Sequence, residues 1–294
     1  MMQNWLLYIV VFPCLVAALS SSSNNNGLRL NKIFGQTLSR RQADALVSSG
    51  RVQVNGVSVQ DSPGTRVLPG DEVLVDGKPY AWEQATKVKE SRFYYIKYWK
   101  PCGVICTTDR RIQGNLLDAL RKDSSPSQQL PKTRLFPVGR LDKDTSGLLL
   151  VTSDGRVPNS VLRGQHKQPK VYEVTLDRPI SESAVQQLRD GVVITTQAQR
   201  DRQRPEPLTA RTLPAHVEML KPNLLQVTIV EGRNRQVRKM VAAVGYTVRK
   251  LHRVRFLNLS LDGLQGPGDW TYLSGREQAA LEAAVARAEE TKKQ

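Results

Sequence analysis

The apolar positions of the chain first predict two strands of different character. Residues Lys170–Leu176 alternate between apolar and polar side chains, which places Tyr172 and Val174 on one face of a strand. Residues Leu148–Thr152 form a short apolar run of strand length, closed by the turn signal Asp154-Gly155. Because both faces of such a run must be covered, we expect this second strand to lie inside a sheet.

Helical periodicity appears elsewhere in the chain. The spacing i, i+3, i+4, i+7 of apolar residues from Val237 to Val244 predicts a helix that Gly245 closes. Arg235, Arg238 and Lys239 then lie on another side of that helix. Further strands are predicted at Phe93–Trp99, Val104–Thr108, Leu224–Val230 and Leu257–Leu261, and further helices at Asn115–Arg121, Val157–Arg163, Ile180–Gly191 and from Ser274 onward.

The sequence of residues 28–80 predicts a small, separate basic domain. Ser39–Gln42 has the pattern of a capping box that opens a helix ending near Gly50. Residues 51–59 form two alternating strands around Asn55-Gly56, which is a strong hairpin signal. Two helices followed by this hairpin, with Ser39-Arg40-Arg41 and the Asn-Gly turn, resemble the S4 RNA-binding domain.

The basic side chains of this domain are candidates for contacts with RNA phosphates, with solvated helix charges as the alternative. They are Arg29, Lys32, Arg40, Arg41 and Arg51.

The charge of the whole chain supports a polyanionic partner. The 294 residues carry a formal net charge of +16, with an isoelectric point near 10.0. A charge of this size is typical of proteins that bind nucleic acid, although charge alone does not say which polyanion is bound. The three cysteines, Cys14, Cys102 and Cys106, are too few for a disulfide framework and lack the spacing of a zinc site. We therefore expect buried thiols and no metal.

The chemistry is concentrated in Val138–Gly155, where a charged loop precedes the apolar run. Asp142 and Asp144 lie among basic residues there, and adjacent cations are expected to keep Asp142 ionised, which suits a nucleophile or a base. An Asx-type turn without chemistry is the alternative on spacing alone. A calcium loop is excluded because Ser153 occupies the twelfth position, where a bidentate glutamate is required.

The sequence Gly139-Arg140-Leu141-Asp142, followed by Asp144-Thr145-x-Gly147 and the apolar run, resembles the catalytic motif of the RNA pseudouridine synthases. It is most similar to the RsuA/RluF-type branch, which modifies ribosomal RNA, and the resemblance extends from about Leu28 to Ser274. It implies that Asp142 is the catalytic aspartate and that no cofactor or metal is needed.

The same resemblance assigns three supporting roles. Arg238, the last arginine of Glu231-Gly-x-x-Arg-Gln-Val-Arg238, would pair with Asp142, as a guanidinium can hold a carboxylate in one rotamer. Tyr172 would stack on the target base, although a core tyrosine is the alternative from the strand pattern alone. Arg140 would brace the loop or meet a phosphate. Further basic residues are expected to face RNA: Arg235, Lys239, Arg249, Lys250 and Arg253.

The expected partner is ribosomal RNA that presents a uridine in a single-stranded loop or bulge, bound by a monomer. The tail Asn258–Gly263 with Gly268-Asp269-Trp270 is most similar to members acting on large-subunit RNA. Two alternatives remain: a non-catalytic RNA-binding or ribosome-assembly factor, and an enzyme of the same chemistry that acts on tRNA.

Residues 1–27 are predicted to lie outside the fold. Trp5–Leu19 is an apolar run followed by a Ser/Asn-rich spacer, short for a membrane span and suited to a signal-peptide core. No Lys or Arg precedes it, so a lone membrane anchor is the alternative. For an RNA enzyme the leader indicates import into a plastid or mitochondrion, with no stable membrane association after its removal. Without import the protein would be cytoplasmic.

Together these patterns predict an α+β protein. A small S4-like domain is joined to a larger catalytic domain with a mixed or antiparallel sheet. The expected divisions are a leader at 1–27, the S4-like domain at 28–80, a linker at 81–92, the catalytic domain at 93–273 and a C-terminal helix at 274–294.

Overall fold

The computed structural model describes residues 27–35, 37–61, 64–87, 93–123, 129–162, 168–197 and 207–291. By its internal contacts the chain divides into two compact units, Met1–Gln84 and Ala85–Gln294. The predicted leader, apart from Gly27, and most of the predicted loop at 197–207 lie outside the described residues. In the described ranges we find no helix of the length and apolarity that crossing a membrane requires.

The described residues of the first unit form short strands and helices, the last of which extends to Lys87. In chain order they are β1 (Leu28–Arg29), α1 (Leu30–Ile33), α2 (Arg40–Ser48), β2 (Val52–Val54), β3 (Val57–Val59), β4 (Arg66–Val67), β5 (Val73–Val75), β6 (Lys78–Pro79) and α3 (Trp82–Lys87). Strands β3-β2-β5-β6 form one antiparallel sheet, and β1 pairs with β4.

The capping box and the hairpin predicted in this unit are confirmed. The Ser39 side chain accepts a hydrogen bond from the Gln42 backbone, and the Gln42 side chain accepts one from Ser39. Asn55 and Gly56 both have positive φ, at 51° and 77°, as a two-residue hairpin turn of this twist requires.

The structure differs from the expected linker at residues 81–92, because α3 begins there. Trp82 is buried in the core of the first unit with Leu30 and Phe34, and its indole Nε1 donates to the Asp71 carbonyl at 2.9 Å. A single anchoring aromatic in a six-residue helix gives too little periodicity for the sequence to reveal it.

The second unit is built around one large sheet. Its elements are β7 (Tyr95–Lys100), α4 (Leu116–Lys122), β8 (Phe136–Pro137), β9 (Ser146–Thr152), α5 (Val157–Leu162), β10 (Lys170–Leu176), α6 (Glu182–Asp190), β11 (Val193–Thr196), β12 (Leu208–Arg211), β13 (His216–Lys221), β14 (Leu224–Ile229), α7 (Gln236–Ala243), β15 (Val248–Phe256), β16 (Leu259–Ser260), β17 (Trp270–Tyr272) and α8 (Gly275–Glu290).

The strand order β13-β14-β10-β15-β9-β7-β17 makes β9 an inner strand, with all seven of its residues buried. The pairing of β9 with β15 is parallel and the other pairings along this order are antiparallel, which confirms the predicted α+β class with a mixed sheet. Leu149 faces a cluster that includes Tyr172 and Met240, whereas Leu148 faces a second cluster that includes Phe256 and Leu281. The apolar run is therefore covered on both sides, as expected.

Two strand predictions were wrong. Residues 104–108 form only an isolated bridge, Ile105 to Asn115, within an irregular segment. Of the strand expected at 257–261, only the two residues of β16 are in strand conformation, because Leu257 has a φ of 58° and turns the chain there. The regular strand lies earlier: the basic segment 249–255 belongs to β15, between β10 and β9.

Helix α8 is anchored to the sheet by a buried ion pair. Lys97 on β7 lies 2.7 Å from the carboxylate of Glu277, and both side chains are largely shielded from solvent. The Lys97 ammonium also donates to the Asp262 carbonyl. Glu277 completes the predicted capping box with Ser274, so one carboxylate serves both the helix start and its docking.

Candidate active site

The loop between β8 and β9 carries Asp142 and is held by two hydrogen bonds to residues of the neighbouring segment 103–106. The Leu141 amide donates to the Cys106 sulfur at 3.4 Å, and the Gly103 amide donates to the Lys143 carbonyl at 2.7 Å. These two contacts immediately flank Asp142, so its backbone is fixed on both sides.

The second half of the loop is a tight turn. The Thr145 amide donates to the Asp142 carbonyl at 3.1 Å, which closes the turn. Arg238 on α7 donates to the Asp144 carbonyl at 2.9 Å and to the Val248 carbonyl at 3.3 Å. Arg238 thus connects the loop, its own helix and the start of β15.

Gly147 allows the loop to enter the sheet where β9 lies against β15. Its φ is +113°, and a Cβ there would lie 2.3 Å from the Arg253 carbonyl oxygen and 2.5 Å from its amide nitrogen. Only a residue without a side chain fits between these backbones. The glycine of the motif is therefore explained by the close parallel pairing.

The cation next to Asp142 is Arg235, which corrects the predicted pairing with Arg238. An Arg235 guanidinium nitrogen lies 3.5 Å from the Asp142 carboxylate. The same guanidinium donates two hydrogen bonds, of 3.2 and 3.0 Å, to the Asp144 carboxylate. Arg238 lies 3.3 Å from Asp144, so it supports the second carboxylate and the loop backbone.

The backbone at Arg235 explains how it reaches both aspartates. It precedes α7 in the left-handed conformation, with φ 50° and ψ 35°, which is uncommon for a residue with a side chain. The hydrogen bonds from Arg235 hold the pKa of Asp144 below its usual 3.8, and the same contacts raise the pKa of Arg235. Both groups are therefore charged at neutral pH.

Two buried cations flank Gly147 in the sheet. Lys100 on β7 and Arg253 on β15 are its register partners, and both are almost completely shielded from solvent. Lys100 donates to the Pro101 and Val104 carbonyls, and burial lowers its pKa. Arg253 donates to the Leu148 carbonyl at 2.8 Å.

A pocket of about 610 Å³ opens beside the loop. Its lining includes Asp142, Arg140, Cys106, Cys102, Asn234 and Arg235. The volume is in the range of small-molecule sites and accommodates a nucleoside. A carboxylate on a rigid loop at the edge of such a pocket is placed to act on a bound sugar or base.

Tyr172 lies in the middle of the sheet, on the predicted strand face. It is 8% exposed, and its register partner on β15 is Arg253, which in turn pairs with Gly147. Two strand spacings, roughly 10 Å, therefore separate the backbones of Tyr172 and Gly147. Tyr172 also shares a hydrophobic cluster with Leu141, the neighbour of Asp142.

The other predicted RNA contacts fall into two groups. The first group is exposed to solvent. It comprises four residues of the first unit, two of β15 and one of the loop: Arg29, Lys32, Arg40 and Arg41, then Arg249 and Lys250, and Arg140. The second group makes ion pairs or hydrogen bonds within the protein. Arg51 pairs with Asp76, and Arg235 pairs with the two loop aspartates. Lys239 donates to the Thr195 carbonyl and Arg253 to the Leu148 carbonyl.

The predictions for Arg253 and Cys102 were wrong. Arg253 is 2% exposed because β15 is an inner strand, so it does not face RNA as predicted. Cys102 is exposed in the turn next to the pocket, whereas Cys106 is buried as expected. Among the described residues no three or more His, Cys, Asp or Glu side chains converge in a way that would hold a metal ion.

Sequence reasoning missed Lys100 and Asn234. Lys100 lies on the same face of β7 as the core residues Ile96 and Tyr98, which was a signal that its side chain lies inside. Asn234 occupies a variable position of the Glu-Gly-x-x-Arg motif, and its place at the pocket depends on the turn before α7. The sequence predicts a turn at Glu231–Asn234, but no local pattern shows that this turn lies beside the Asp142 loop.

Comparison with known proteins agrees with this architecture. The family model for RNA pseudouridylate synthases matches residues 94–243, more than half of the chain, and the S4 domain model matches residues 35–73. The chain is 33% identical over 255 residues to the dual-specificity RNA pseudouridine synthase RluF of Escherichia coli K12, covering 86% of this chain and 78% of that protein.

A second relative and a solved structure extend the agreement. Ribosomal small subunit pseudouridine synthase A of Escherichia coli K12 is 32% identical over 256 residues, covering 86% of this chain and all of that protein. A crystal structure of pseudouridylate synthase superposes with a TM-score of 0.54 and 27% identity over 87% of this chain and 99% of that one. The resemblance of the motif around Asp142 is thereby confirmed, and the chain belongs to the RNA pseudouridylate synthase family.

Proposed function

We propose that this protein isomerises uridine to pseudouridine in ribosomal RNA, with Asp142 as the nucleophile. The observation that carries the proposal is the position of Asp142, on a loop fixed by Cys106 and Gly103, at the edge of a nucleoside-sized pocket, beside Arg235. This position in a member of the pseudouridylate synthase family supports a catalytic role for the carboxylate.

The reaction proceeds without a cofactor. The target nucleotide leaves its stack, at a cost of a few kcal/mol that is smallest in loops and bulges. Asp142 attacks the nucleoside, the bond between N1 and the sugar breaks, and the uracil rotates so that C5 faces the sugar. A bond from C5 to the sugar then forms as the bond between Asp142 and the sugar breaks, the C5 proton leaves and N1 gains a proton, so substrate and product are isomers.

The neighbouring side chains have supporting roles in this proposal. Arg235 orients the Asp142 carboxylate, a role that sequence reasoning had given to Arg238. Arg238 keeps the turn of the loop in place through the Asp144 carbonyl. Tyr172 stacks on the base, and Arg140, exposed on the loop, contacts an RNA phosphate.

The proposed target is a uridine in large-subunit ribosomal RNA. The basic first unit, which contains the S4 domain, supports RNA binding through Arg29, Lys32 and Arg41. The resemblance of residues 258–263 and 268–270 to members that act on large-subunit RNA supports the choice of subunit.

Unmodified transcripts provide the test. Large-subunit ribosomal RNA, small-subunit ribosomal RNA and tRNA are incubated separately with the enzyme, and pseudouridine is mapped by carbodiimide-blocked primer extension. We expect one strong stop in large-subunit RNA. A stop found only in small-subunit RNA or tRNA would contradict the proposed large-subunit substrate. Tight RNA binding without any stop would favour the assembly-factor alternative.

We also propose that residues 1–27 direct the protein to a plastid or mitochondrion, on the basis of the apolar run and its polar spacer. Fusing these residues to a fluorescent protein tests this directly. Organellar fluorescence would support import, whereas fluorescence retained at the cell membranes would favour an anchor.

A further inference from the structure

Asn234 lines the same pocket as Asp142 and precedes Arg235 in the chain. In the part of the chain that the structure describes, its carboxamide has no hydrogen-bond partner, although neighbouring polar side chains are engaged. A carboxamide offers one acceptor oxygen and two N–H donors. These groups are therefore available to a ligand in the pocket.

The backbone around Asn234 is held by a buried carboxylate. Glu231 is 6% exposed and accepts hydrogen bonds from the Arg233 guanidinium at 3.0 Å, the Gln236 amide at 2.6 Å and the Leu213 backbone at 3.0 Å. The Gln236 side chain also accepts from the Arg233 backbone at 2.9 Å. This network fixes the turn on both sides of Asn234 and does not use the Asn234 side chain.

We propose that the Asn234 carboxamide recognises the uracil ring itself, by accepting a hydrogen bond from N3–H and donating one to the neighbouring carbonyl. The inference rests on the proposed use of this pocket for a flipped uridine. Arg235 and Asp142 face the sugar side of the nucleoside in that arrangement, and the adjacent Asn234 meets the edge of the base.

The chemistry of the reaction gives this contact a particular value. Uracil carries a carbonyl on each side of N3–H, and rotation by 180° about the axis through N3 and C6 exchanges O4 with O2 while it exchanges C5 with N1. An amide that binds N3–H and one adjacent carbonyl therefore finds the same pattern before and after rotation. The Asn234 carboxamide therefore holds both the substrate and the rotated base without having to change its own orientation.

Cytosine does not have this property. Its N3 carries no proton and lies between an amino group and a carbonyl. An amide that pairs with N3 and the amino group therefore meets two acceptors, N3 and O2, once the ring has rotated. Asn234 thus favours uracil in the rotated state, where the new bond forms. A site whose polar groups fit one base leaves them unpaired with an analogue that lacks the matching groups.

The test compares two RNAs and four proteins. The RNAs are stem-loops around the uridine mapped above, synthesised with uridine or with pyrimidin-2-one riboside, which lacks N3–H and O4, at the target position. The proteins all carry Asp142→Asn to prevent turnover, with Asn234 retained, Asn234→Ala, Asn234→Asp, or Asn223→Ala as an exposed control from the β13–β14 turn.

With Asn234 retained, we expect the uridine RNA to bind about tenfold more tightly than the pyrimidin-2-one RNA, as two hydrogen bonds allow. Asn234→Ala, which removes both groups, should abolish this preference. Asn234→Asp keeps the acceptor for N3–H and loses the donor, so it should retain part of the preference, and Asn223→Ala should keep all of it. Melting curves verify that each protein is folded.

A preference that survives Asn234→Ala undiminished would overturn the inference. An Asn234 substitution that weakens the binding of both RNAs equally would also overturn it, because that result indicates a contact with the sugar or phosphate. Failure of the proposed function is distinguishable, since it appears earlier as the absence of any mapped pseudouridine with the active enzyme.

Discussion

The guanidinium of Arg235 lies 3.5 Å from the carboxylate of Asp142 and is held there by two hydrogen bonds to Asp144. Asp144 therefore acts as a clamp that fixes the cation next to the proposed nucleophile. The clamp lies on the same turn as Asp142, so loop and cation are positioned together.

Substitution at the two arginines separates their roles. We expect Arg235→Lys to lower the single-turnover rate about 100-fold, because a small misplacement of a reacting group costs this much. Arg238→Lys should lower it less, about tenfold, since Arg238 contacts the Asp144 carbonyl and not Asp142. Single-turnover kinetics with the mapped RNA measures both. A larger loss for Arg238→Lys would restore the pairing first predicted from the sequence.

The clamp also predicts a pH dependence of stability. Because the folded protein lowers the pKa of Asp144 below 3.8, the ionised carboxylate stabilises the fold above pH 3.8, and this contribution is lost as pH falls through the lowered value. The difference in melting temperature between wild type and Asp144→Asn should be constant from pH 5 to 7 and shrink in stronger acid. A difference that grows on acidification would contradict the ion pair.

Gly147 provides a test of the parallel strand contact. A methyl group there would overlap the backbone of Arg253, and the positive φ adds strain. We expect Gly147→Ala to reduce the free energy of unfolding by at least about 2 kcal/mol in urea titrations. Gly155→Ala is the control, because nothing lies within 4 Å of a Cβ at that position. Equal stability of the two variants would contradict the close approach.

The ion pair between Lys97 and Glu277 should matter more than an exposed pair. Lys97→Met leaves a shielded carboxylate without its cation, and we expect a loss of about 3 kcal/mol in unfolding free energy. Arg121→Met removes one partner of the exposed pair with Asp118 and should cost less than about 1 kcal/mol. Urea denaturation of both variants makes the comparison, and similar losses would argue against the shielding of Lys97.

Sequence patterns predicted the elements whose signals are local. The alternation at β10, the apolar run at β9, the Asn55-Gly56 turn and the two capping boxes each depend on neighbouring residues, and the structure confirms them. The motif around Asp142 likewise identified the loop because its residues are contiguous.

The errors arise from contacts between distant segments. Whether Arg253 faces RNA depends on which strands flank β15, and nothing in its own segment shows that this strand is internal. The choice between Arg235 and Arg238 as partner of Asp142 depends on the left-handed backbone at Arg235, which no propensity predicts for arginine. Trp82 was assigned to a linker because its core partners come from other parts of the first unit.

The central claim is that the Asp142 carboxylate performs the chemistry on a uridine. Asp142→Asn keeps the size of the side chain and removes its charge, so the protein should fold and bind the mapped RNA with unchanged affinity. The direct measurement is the single-turnover formation of pseudouridine by wild type and by Asp142→Asn on that RNA. The account predicts no detectable product from the variant, and product formed at the wild-type rate would contradict it.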